Sequence, residues 1–309
     1  MSEQKPLISV IIPVYNDGLS FLKLAAAFNS SDAYSLEIIC IDDHSTDDSF
    51  SILAERAKSD PRFKVYQTTR NSGAAAARNL GLTKTKGDFI CFIDADDELE
   101  PEFFARLLHA MKDKVALASV SILEKYLKLG KIEKKFCTAA PRRADGESIR
   151  HYVLRNLFQS GELYSAVTKI YRGDIVRKNK LRFDETMNFG EDTKFVLQYL
   201  GCFSDDYQIV FIPDPLYIYN YGTKTSTVSK SALDWKNWQR SYINIKNWYL
   251  EGEENPDKLL LKKFLIRYKI SYNLAVARSG LKFKEQIKYA SPIALIGSKL
   301  ALAIKDHKK

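Results

Sequence analysis

The first hundred residues alternate short apolar segments with segments of helical periodicity, and this alternation restricts the fold more than any other feature. Apolar runs cover residues 7–13, 36–41, 63–66 and 88–93, and helical patterns lie between them, at about 18–28, after 45 and at about 73–82. Continuous apolar runs of this length predict strands that are buried on both faces. The regular succession of strand and helix therefore predicts an α/β protein with a doubly wound, mostly parallel sheet.

Segments that contain polar residues lie at the ends of three of these four predicted strands. The segments are Pro13-Val14-Tyr15-Asn16, Asp42-Asp43 and Asp94-Ala95-Asp96. Ligands of doubly wound sheets bind beyond the carboxyl ends of the strands. We therefore predict that the three segments meet in one binding site.

The last of these segments places two carboxylates one residue apart, directly after an apolar strand. Asp97 and Glu98 extend the acidic cluster. Crowded carboxylates repel each other, so they favour a cation between them, and their hard oxygens suit Mg²⁺ or Mn²⁺. An acidic loop that only caps the helix opened by Pro101 is the alternative at this point.

The formal net charge of +9 predicts an anionic ligand or surface. Nucleic acid is the least favoured of these, because no helix-turn-helix, zinc-finger or aromatic RNA-binding signature is present. A phosphate-bearing substrate and an anionic membrane remain. The sequence also has no Gly-x-Gly-x-x-Gly after a strand and no P-loop, so a nucleotide would be recognised through carboxylates and a metal ion.

Targeting signals are not evident in the chain. No apolar run approaches the roughly 18–20 residues of a transmembrane helix, and residues 1–5 are too polar to begin a signal peptide. The four cysteines show no Cys-x-x-Cys spacing, which disfavours a zinc site and a disulfide framework. We therefore expect a cytoplasmic protein.

The rest of the chain predicts a continuation of the sheet and then a change of character. Strands are expected within 115–138, with a turn at Gly130, and at 209–212 and 216–221; helices are expected at 146–158 and 190–200. Beyond Ser229 the pattern is helical and rich in aromatic residues. For a chain of 309 residues we predict a main domain at 1–229 and a helical C-terminal region at 230–309.

Several motifs, taken in order, resemble the family-2 glycosyltransferases. They are residues 9–16 (SVIIPVYN), 41–45 (IDDHS), 71–73 (NSG) with 77–79 (ARN), 92–97 (FIDADD), 190–192 (GED), and 215–219 (PLYIY) leading to Ser226. The resemblance covers roughly 7–228, and the ordered set is far more specific than any single motif. It implies the GT-A fold, a Rossmann-like fold that binds nucleotide sugars, and transfer with inversion.

The resemblance also assigns roles to particular residues. It implies that the nucleotide sugar is bound by Pro13, Tyr15, Asp42, Asp43, Asn71, Gly73, Arg78, Asp94 and Ala95. Asp43 would accept the N3–H of a uracil ring. Asp96 would bind Mn²⁺ or Mg²⁺ directly, with Asp94 on the metal or the ribose, and Asp97 and Glu191 would lie behind these ligands.

Asp192 is the expected general base, by the same resemblance. Inverting transfer is one in-line displacement, so a carboxylate must take the proton of the attacking hydroxyl. Two acids that open a helix are also commonly just favourable charges at its N-terminus, and this alternative remains for Glu191 and Asp192. The chain departs from the family at His44, where Gly is more frequent, and at Asn220, near which some relatives carry a histidine.

The expected function is metal-dependent, inverting transfer of a sugar, with a UDP-sugar as donor, to a hydroxyl of a glycan or lipid-linked acceptor in bacterial surface polysaccharide synthesis. A nucleotidyltransferase is one alternative, although its Gly-rich basic loop is missing after the first strand. A sugar-nucleotide-binding subunit without catalysis is another, and the intact Asp94, Asp96 and Asp192 argue against it. Apolar residues between 287 and 304 alternate with lysines, which fits either peripheral contact with the inner membrane or a helix packed on its own domain.

Overall fold

The computed structural model describes residues 5–28, 31, 33–126, 131–135, 143–159, 162–187, 189–221 and 235–278. Its first part has the predicted alternation of strands and helices. The elements are β1 (Leu7–Val14), α1 (Gly18–Ala25), β2 (Ser35–Asp42), α2 (Ser49–Ser59), β3 (Phe63–Gln67), α3 (Ala74–Leu82) and β4 (Phe89–Phe92).

These four strands form the parallel part of the sheet, in the order β3-β2-β1-β4. The central strand β1 is fully buried at Ile8, Val10, Ile11 and Ile12, as its continuous apolar run predicts. Val14 lies beside Asp42 in the register of β1 and β2. The carboxyl ends of β1, β2 and β4 therefore share one edge of the sheet, where the three polar segments begin.

The second part adds strands in both directions. Its elements are β5 (Glu98–Leu99), α4 (Phe103–Ala110), β6 (Val115–Tyr126), β7 (Lys131–Lys135), α5 (Ile149–Gln159), β8 (Lys169–Arg172), α6 (Gly173–Lys178), α7 (Glu191–Leu200), β9 (Gln208–Tyr221), α8 (Trp235–Glu251) and α9 (Lys258–Arg278).

The complete sheet is mixed. Its order is β3-β2-β1-β4-β8-β6-β9-β5, with β7 paired to β6. Strand β8 is antiparallel to both β4 and β6, while β9 runs parallel to β6. The prediction of an α/β fold is confirmed. The predicted parallel pairing is found throughout the first four strands. Periodicity shows that a strand is buried but not its direction, so the reversal at β8 was not predictable from the apolar runs.

The two strands predicted at 209–212 and 216–221 are one strand, β9. Its register against β6 shifts between Val120 and Ile122, and Ile212 and Pro215 are opposite neighbouring residues of β6. A proline has no N–H to donate to the sheet, so strands that contain one usually bulge there. The bulge explains why the sequence pattern is interrupted within a continuous strand.

The helices α8 and α9 pack against the main core and also form a small cluster of their own, in which Tyr272 and Val276 contact Trp235 and Trp238. Ile245 and Tyr249 of α8, and Leu261, Phe264 and Tyr268 of α9, belong to the same buried cluster as the sheet. No helix within the described residues combines the length and the apolar character needed to span a bilayer. The predicted boundary at 229/230, the turn at Gly130, Ser226 and the segment 287–304 lie outside the described residues.

Candidate active site

Arg78 joins two predicted site residues that are far apart in the chain. Its Nη2 donates to Oδ1 of Asp94 at 2.7 Å and its Nη1 donates to Oδ1 of Asp192 at 3.0 Å. Asp94 follows β4, and Asp192 is the second residue of α7. The structure thus brings together a predicted metal carboxylate and the predicted base, with one arginine between them.

Close packing of α3 on the sheet sets the position of Arg78. Ala77 is fully buried, and a Cβ added to Gly81 would lie only 2.5 Å from Cγ2 of Ile11, so this helix approaches β1 closely. The Arg78 side chain is 5% exposed. Its guanidinium also lies 5.4 Å from the centre of the Phe183 ring. These contacts hold a rigid, forked cation beneath the edge of the sheet.

The charge of Arg78 is retained despite its burial. Burial disfavours the charged form, but the carboxylates of Asp192 and Asp94 outweigh this effect and raise the pKa of Arg78 above its ordinary value. A buried cation without such anions would be strongly destabilising. The arginine and the two carboxylates therefore form one electrostatic unit.

The Asp192 carboxylate is held on both of its oxygens. While Oδ1 accepts from Arg78, Oδ2 accepts from the Ala166 N–H at 3.2 Å and from Ser165 Oγ at 3.4 Å. The side chain is still 20% exposed. A carboxylate with a fixed orientation and an open approach from solvent is suited to accept a proton from a bound hydroxyl.

Glu191 lies beside this carboxylate in the first turn of α7. Burial, and then the negative charge of Asp192, raise the pKa of Glu191 to about 7. Two adjacent acids at a helix N-terminus are commonly stabilised by the helix dipole, which would lower their pKa values. At Glu191, burial and the nearby Asp192 carboxylate outweigh this effect of the helix dipole on the pKa.

Strand β9 braces the acidic turn that follows β4. The Tyr217 hydroxyl donates to Oδ2 of Asp97 at 2.6 Å and accepts from the Asp94 N–H at 3.3 Å. The Asn220 N–H donates to Oδ1 of Asp97 at 3.0 Å, and its Nδ2 donates to the Asp96 carbonyl at 2.7 Å. Tyr217 is fully buried, so it supports the turn and cannot present its ring to a sugar.

Asp97 lies behind the exposed part of this turn, as the resemblance implies. It is 2% exposed, and its burial together with the charges of Asp94 and Asp96 raises its pKa well above the ordinary value. Asp94 and Asp96 are only partly buried. The turn therefore presents these two carboxylates outward.

The described residues supply part of a binding site for a divalent ion. Asp94 and Asp96 offer the hard oxygens that Mg²⁺ and Mn²⁺ prefer, in a place where negative charge is already crowded. Within the described residues, no three His, Cys, Asp or Glu side chains are placed to hold an ion by themselves. Among the described residues, Asp94 and Asp96 are thus the two candidate ligands, and an ion there would need further ligands from elsewhere.

The carboxylates at the end of β2, Asp42 and Asp43, are buried. Asp43 is 3% exposed and its oxygens accept from the N–H groups of Ser72 and Gly73, at 3.0 and 2.6 Å, and from Thr68 Oγ1 at 2.9 Å. Asp42 is fully buried; its Oδ2 accepts from Gln67 Nε2 at 2.9 Å, and its Oδ1 has no hydrogen-bond partner within the described residues. In this structure Asp43 fixes the loop before α3, and its contact with a uracil ring stays a prediction.

The remaining predicted residues differ in exposure. Asn71 and Gly73 are exposed, Tyr15 is 39% exposed, Pro13 is half-buried, and the Ala95 side chain is buried, so only its backbone could meet a ligand. His44 is exposed, with a φ of 61° that a branched residue would adopt only with strain. Its Nδ1 lies 3.3 Å from the Thr68 carbonyl oxygen.

Sequence reasoning missed the residues that hold Asp192 and Arg78 in place. Ser165 and Ala166 contact Asp192 from the segment before β8, and Phe183 lies against Arg78. These residues contribute a hydroxyl, a backbone N–H and a ring, which are common everywhere in a sequence. No local signal could have identified them, since their role follows from where the chain returns to the site.

The turn that begins α7 is packed directly against the C-terminal helices. Gly190 has a φ of 82°, and a Cβ added there would lie 2.4 Å from Oγ of Ser241 on α8. That Ser241 oxygen accepts from the Tyr268 hydroxyl of α9 at 2.8 Å, and Phe189 stacks on Trp238 at 4.8 Å. The position of Asp192 therefore depends on helices that lie outside the motif-bearing part of the chain.

We expect Gly190→Ala to destabilise the fold by about 2 kcal/mol or more and to lower activity, because it adds backbone strain and a clash with Ser241. Thermal or denaturant unfolding measures the first effect. Gly146→Ala is the matched control, since Gly146 has a φ of 74° and nothing within 4 Å of an added Cβ. Equal losses for the two variants would contradict the tight contact with α8.

Comparison with known proteins agrees with this geometry. The sequence model described as "Glycosyl transferase family 2" matches residues 9–178, more than half of the chain. EpsH of Bacillus subtilis is 29% identical over 180 residues, which are 58% of this chain and 51% of EpsH. Succinoglycan biosynthesis protein ExoO of Rhizobium meliloti is 24% identical over 201 residues, which are 65% of this chain and 57% of ExoO. The matched part of the chain thus spans little more than half the length of these two relatives.

The fold is similar to that of a solved bacterial protein. The crystal structure of residues 1–349 of S. aureus TarS in complex with UDP-GlcNAc superimposes with a TM-score of 0.68, and the match covers 93% of this chain and 78% of that one. The two sequences are 20% identical. At this identity the likeness establishes the GT-A fold.

Proposed function

Because the chain belongs to glycosyl transferase family 2, we propose that it transfers a sugar from a nucleotide-diphosphate donor to an acceptor hydroxyl, with inversion at the sugar carbon. The observation that carries this proposal is the bridge that Arg78 makes between Asp94 and Asp192. A donor-side carboxylate and a proton acceptor must lie at one site for such a displacement. An arginine that pairs with both fixes their separation.

We propose a UDP-sugar as the donor and a hexosyl or N-acetylhexosaminyl group as the transferred unit. The TarS structure with UDP-GlcNAc supports this choice by its similar fold. The edge formed by Tyr15, Asp43 and the loop at Asn71 would receive the nucleotide. The Asp43 carboxylate already accepts from Ser72, Gly73 and Thr68, so a uracil N3–H would share one of its oxygens with these donors.

Asp192 is the proposed general base. Its two oxygens are oriented by Arg78 and by the Ala166 N–H, so its approach to an acceptor hydroxyl is defined before the acceptor binds. Arg78 would also balance negative charge as the diphosphate departs. The partly buried Glu191 would exclude water from one side of the base.

Asp96 and Asp94 would hold Mn²⁺ or Mg²⁺ together with the donor diphosphate. When bound, such an ion neutralises charge on the departing diphosphate. The ion pair with Arg78 uses Oδ1 of Asp94, and Asp97 behind them is braced by Tyr217 and Asn220. The turn is thus braced by contacts within the protein.

The acceptor that we propose is a glycan or a lipid-linked sugar in bacterial surface polysaccharide synthesis, as the name of ExoO suggests by similarity. The division into a catalytic region at 1–229 and a C-terminal region at 230–309 that contacts the acceptor or a membrane is part of this proposal. So is a cytoplasmic location with peripheral contact at the inner membrane.

Release of UDP from UDP-sugars in the presence of Mn²⁺ and candidate acceptors tests the function directly. A thermal-shift screen of nucleotide sugars would first identify the donor. Stabilisation by a nucleotide sugar without any UDP release across acceptors would favour a binding subunit instead. Formation of diphosphate from a nucleoside triphosphate and a sugar phosphate would favour a nucleotidyltransferase.

We expect Asp96→Ala to abolish metal-dependent transfer, because it removes the carboxylate that the metal would bind outside the Arg78 ion pair. Titration of Mn²⁺ in the presence of UDP should show weakened binding in the same variant. Glu100→Ala is the control, since Glu100 is an exposed acid close to the same turn. Full activity of the wild-type protein in the presence of a chelator would remove the metal from the mechanism.

A further inference from the structure

Helix α9 is apolar on two opposite sides. Its inner side, with Leu261, Phe264 and Tyr268, is buried against the protein. On the other side Leu259, Ile266 and Ile270 are 59%, 51% and 52% exposed. Positions seven and eleven residues apart fall on the same side of an α-helix, so these three form a continuous stripe. A surface helix normally carries polar residues there, and the stripe therefore calls for an explanation.

Basic residues border this stripe on both edges. At about 100° per residue, Lys258, Lys262 and Lys269 lie along one edge, and Lys263 and Arg267 lie along the other. All five are exposed. The stripe and its two basic edges together form the α9 outer face.

No acidic residue offsets this charge along the helix. The sequence from Lys258 to Arg278 contains no Asp or Glu. The nearest acids in the chain lie in the connection before the helix, where Asp257 caps the first turn by accepting from the Leu260 N–H at 2.8 Å. Within the described residues, no Lys side chain of the α9 outer face takes part in an ion pair. The face thus carries basic residues and no acid of its own around an apolar centre, and one of these residues, Arg267, also packs over the Phe158 ring.

We propose that the α9 outer face docks on an anionic membrane surface. Such a surface attracts lysine and arginine electrostatically, while the apolar stripe enters the boundary between headgroups and acyl chains. Lysines on both edges can extend their charged ends to the headgroups and leave their methylene stems in the apolar region. The layout of the face matches both parts of this interaction.

Charge complementarity favours lipid over the other candidates for this face. Residues 279–309 contain seven lysines and two acids, so this segment would be repelled rather than attracted by the α9 outer face. Nucleic acid would satisfy the charges, but it would leave the three branched apolar side chains without a partner. An anionic lipid layer satisfies both.

Docking would bring the protein to the surface that holds a lipid-linked acceptor. This consequence rests on the proposed function, whereas the docking itself does not. Vesicle binding needs neither donor nor acceptor, so failure of the lipid proposal and failure of the glycosyltransferase proposal give different results.

The test is binding of the full chain to vesicles of phosphatidylcholine with about one third phosphatidylglycerol, measured by co-flotation, with pure phosphatidylcholine as reference. The double variant Lys262→Glu with Lys263→Glu reverses charge on both edges of the stripe and should weaken binding about tenfold or more. Ile266→Ser should weaken binding several-fold by removing apolar area. Added salt should weaken binding of the wild-type protein.

Matched control variants carry the same kinds of substitution outside the α9 outer face. Lys112→Glu with Lys178→Glu makes the same change of charge at exposed lysines away from α9. Ile243→Ser removes an isoleucine of α8 that is 45% exposed. These variants should bind nearly as the wild-type protein does. Thermal unfolding verifies that each variant is folded. Equal binding by the α9 variants and their controls would overturn the proposal, and so would a wild-type protein that does not prefer anionic vesicles.

Discussion

Asp192→Asn is expected to lower turnover by roughly 10²-fold or more while donor binding stays close to that of the wild-type protein. The amide keeps the shape of the carboxylate but cannot take a proton from the attacking hydroxyl. Steady-state measurement of UDP release with acceptor gives turnover, and calorimetric titration of the donor gives binding. The position of the side chain, oriented by Arg78 and by the Ala166 N–H, makes this the most direct test of catalysis.

Two further variants separate a catalytic acid from a structural one. Asp174→Asn changes an exposed acid in the first turn of α6, where a charge only favours the helix N-terminus, and should leave turnover unchanged. If Asp192→Asn behaved in the same way, the acids that open α7 would be helix-stabilising charges and nothing more. A larger loss for Glu191→Gln than for Asp192→Asn would move the assignment of the base to Glu191.

Arg78→Ala is expected to destabilise the fold by about 3–5 kcal/mol and to abolish transfer. The change removes the buried cation and leaves the carboxylates of Asp94 and Asp192 close together without it. Denaturant unfolding measures the free energy, and UDP release measures the activity. Arg78→Lys keeps one charge but loses the fork that reaches both acids, so we expect an intermediate loss.

The control for this prediction is an arginine with similar pairing at the surface. Arg106 pairs with Glu102 and Asp214, and its side chain is 44% exposed. Exposed ion pairs contribute little, so Arg106→Ala should cost less than about 1 kcal/mol. Comparable losses of unfolding free energy for Arg78→Ala and Arg106→Ala would mean that the ion pairs of Arg78 with Asp94 and Asp192 stabilise the fold no more than exposed pairs do.

The predictions made from sequence succeeded where chemistry is local to one strand or turn. Apolar runs located β1 to β4, and the polar residues at their ends marked the edge of the sheet that carries the site. Asp94, Asp96 and Asp97 lie within one short segment after β4, so their crowding could be read directly from the sequence. The φ of 61° at His44 is also a local property, because it belongs to a single turn.

Other features could not be read in this way because they depend on where distant segments meet. The hydrogen bonds that the Asp43 carboxylate accepts from Ser72 and Gly73 had no signal in the sequence. Tyr217 and Asn220 brace the acidic turn from a strand more than a hundred residues away. A hydrogen bond between such segments leaves no periodic trace in the sequence.

The amino-acid sequence by itself determined that this chain forms an α/β sheet with carboxylates at the ends of its strands, since burial period and turn chemistry act over a few neighbouring residues. The tertiary structure alone decided that Arg78 lies between Asp94 and Asp192, that β8 reverses the sheet, and that Ser241 of α8 abuts the turn at Gly190. The physical reason is that these contacts come from the packing of whole elements. Their energy depends on distance in space, which the order of residues along the chain does not specify.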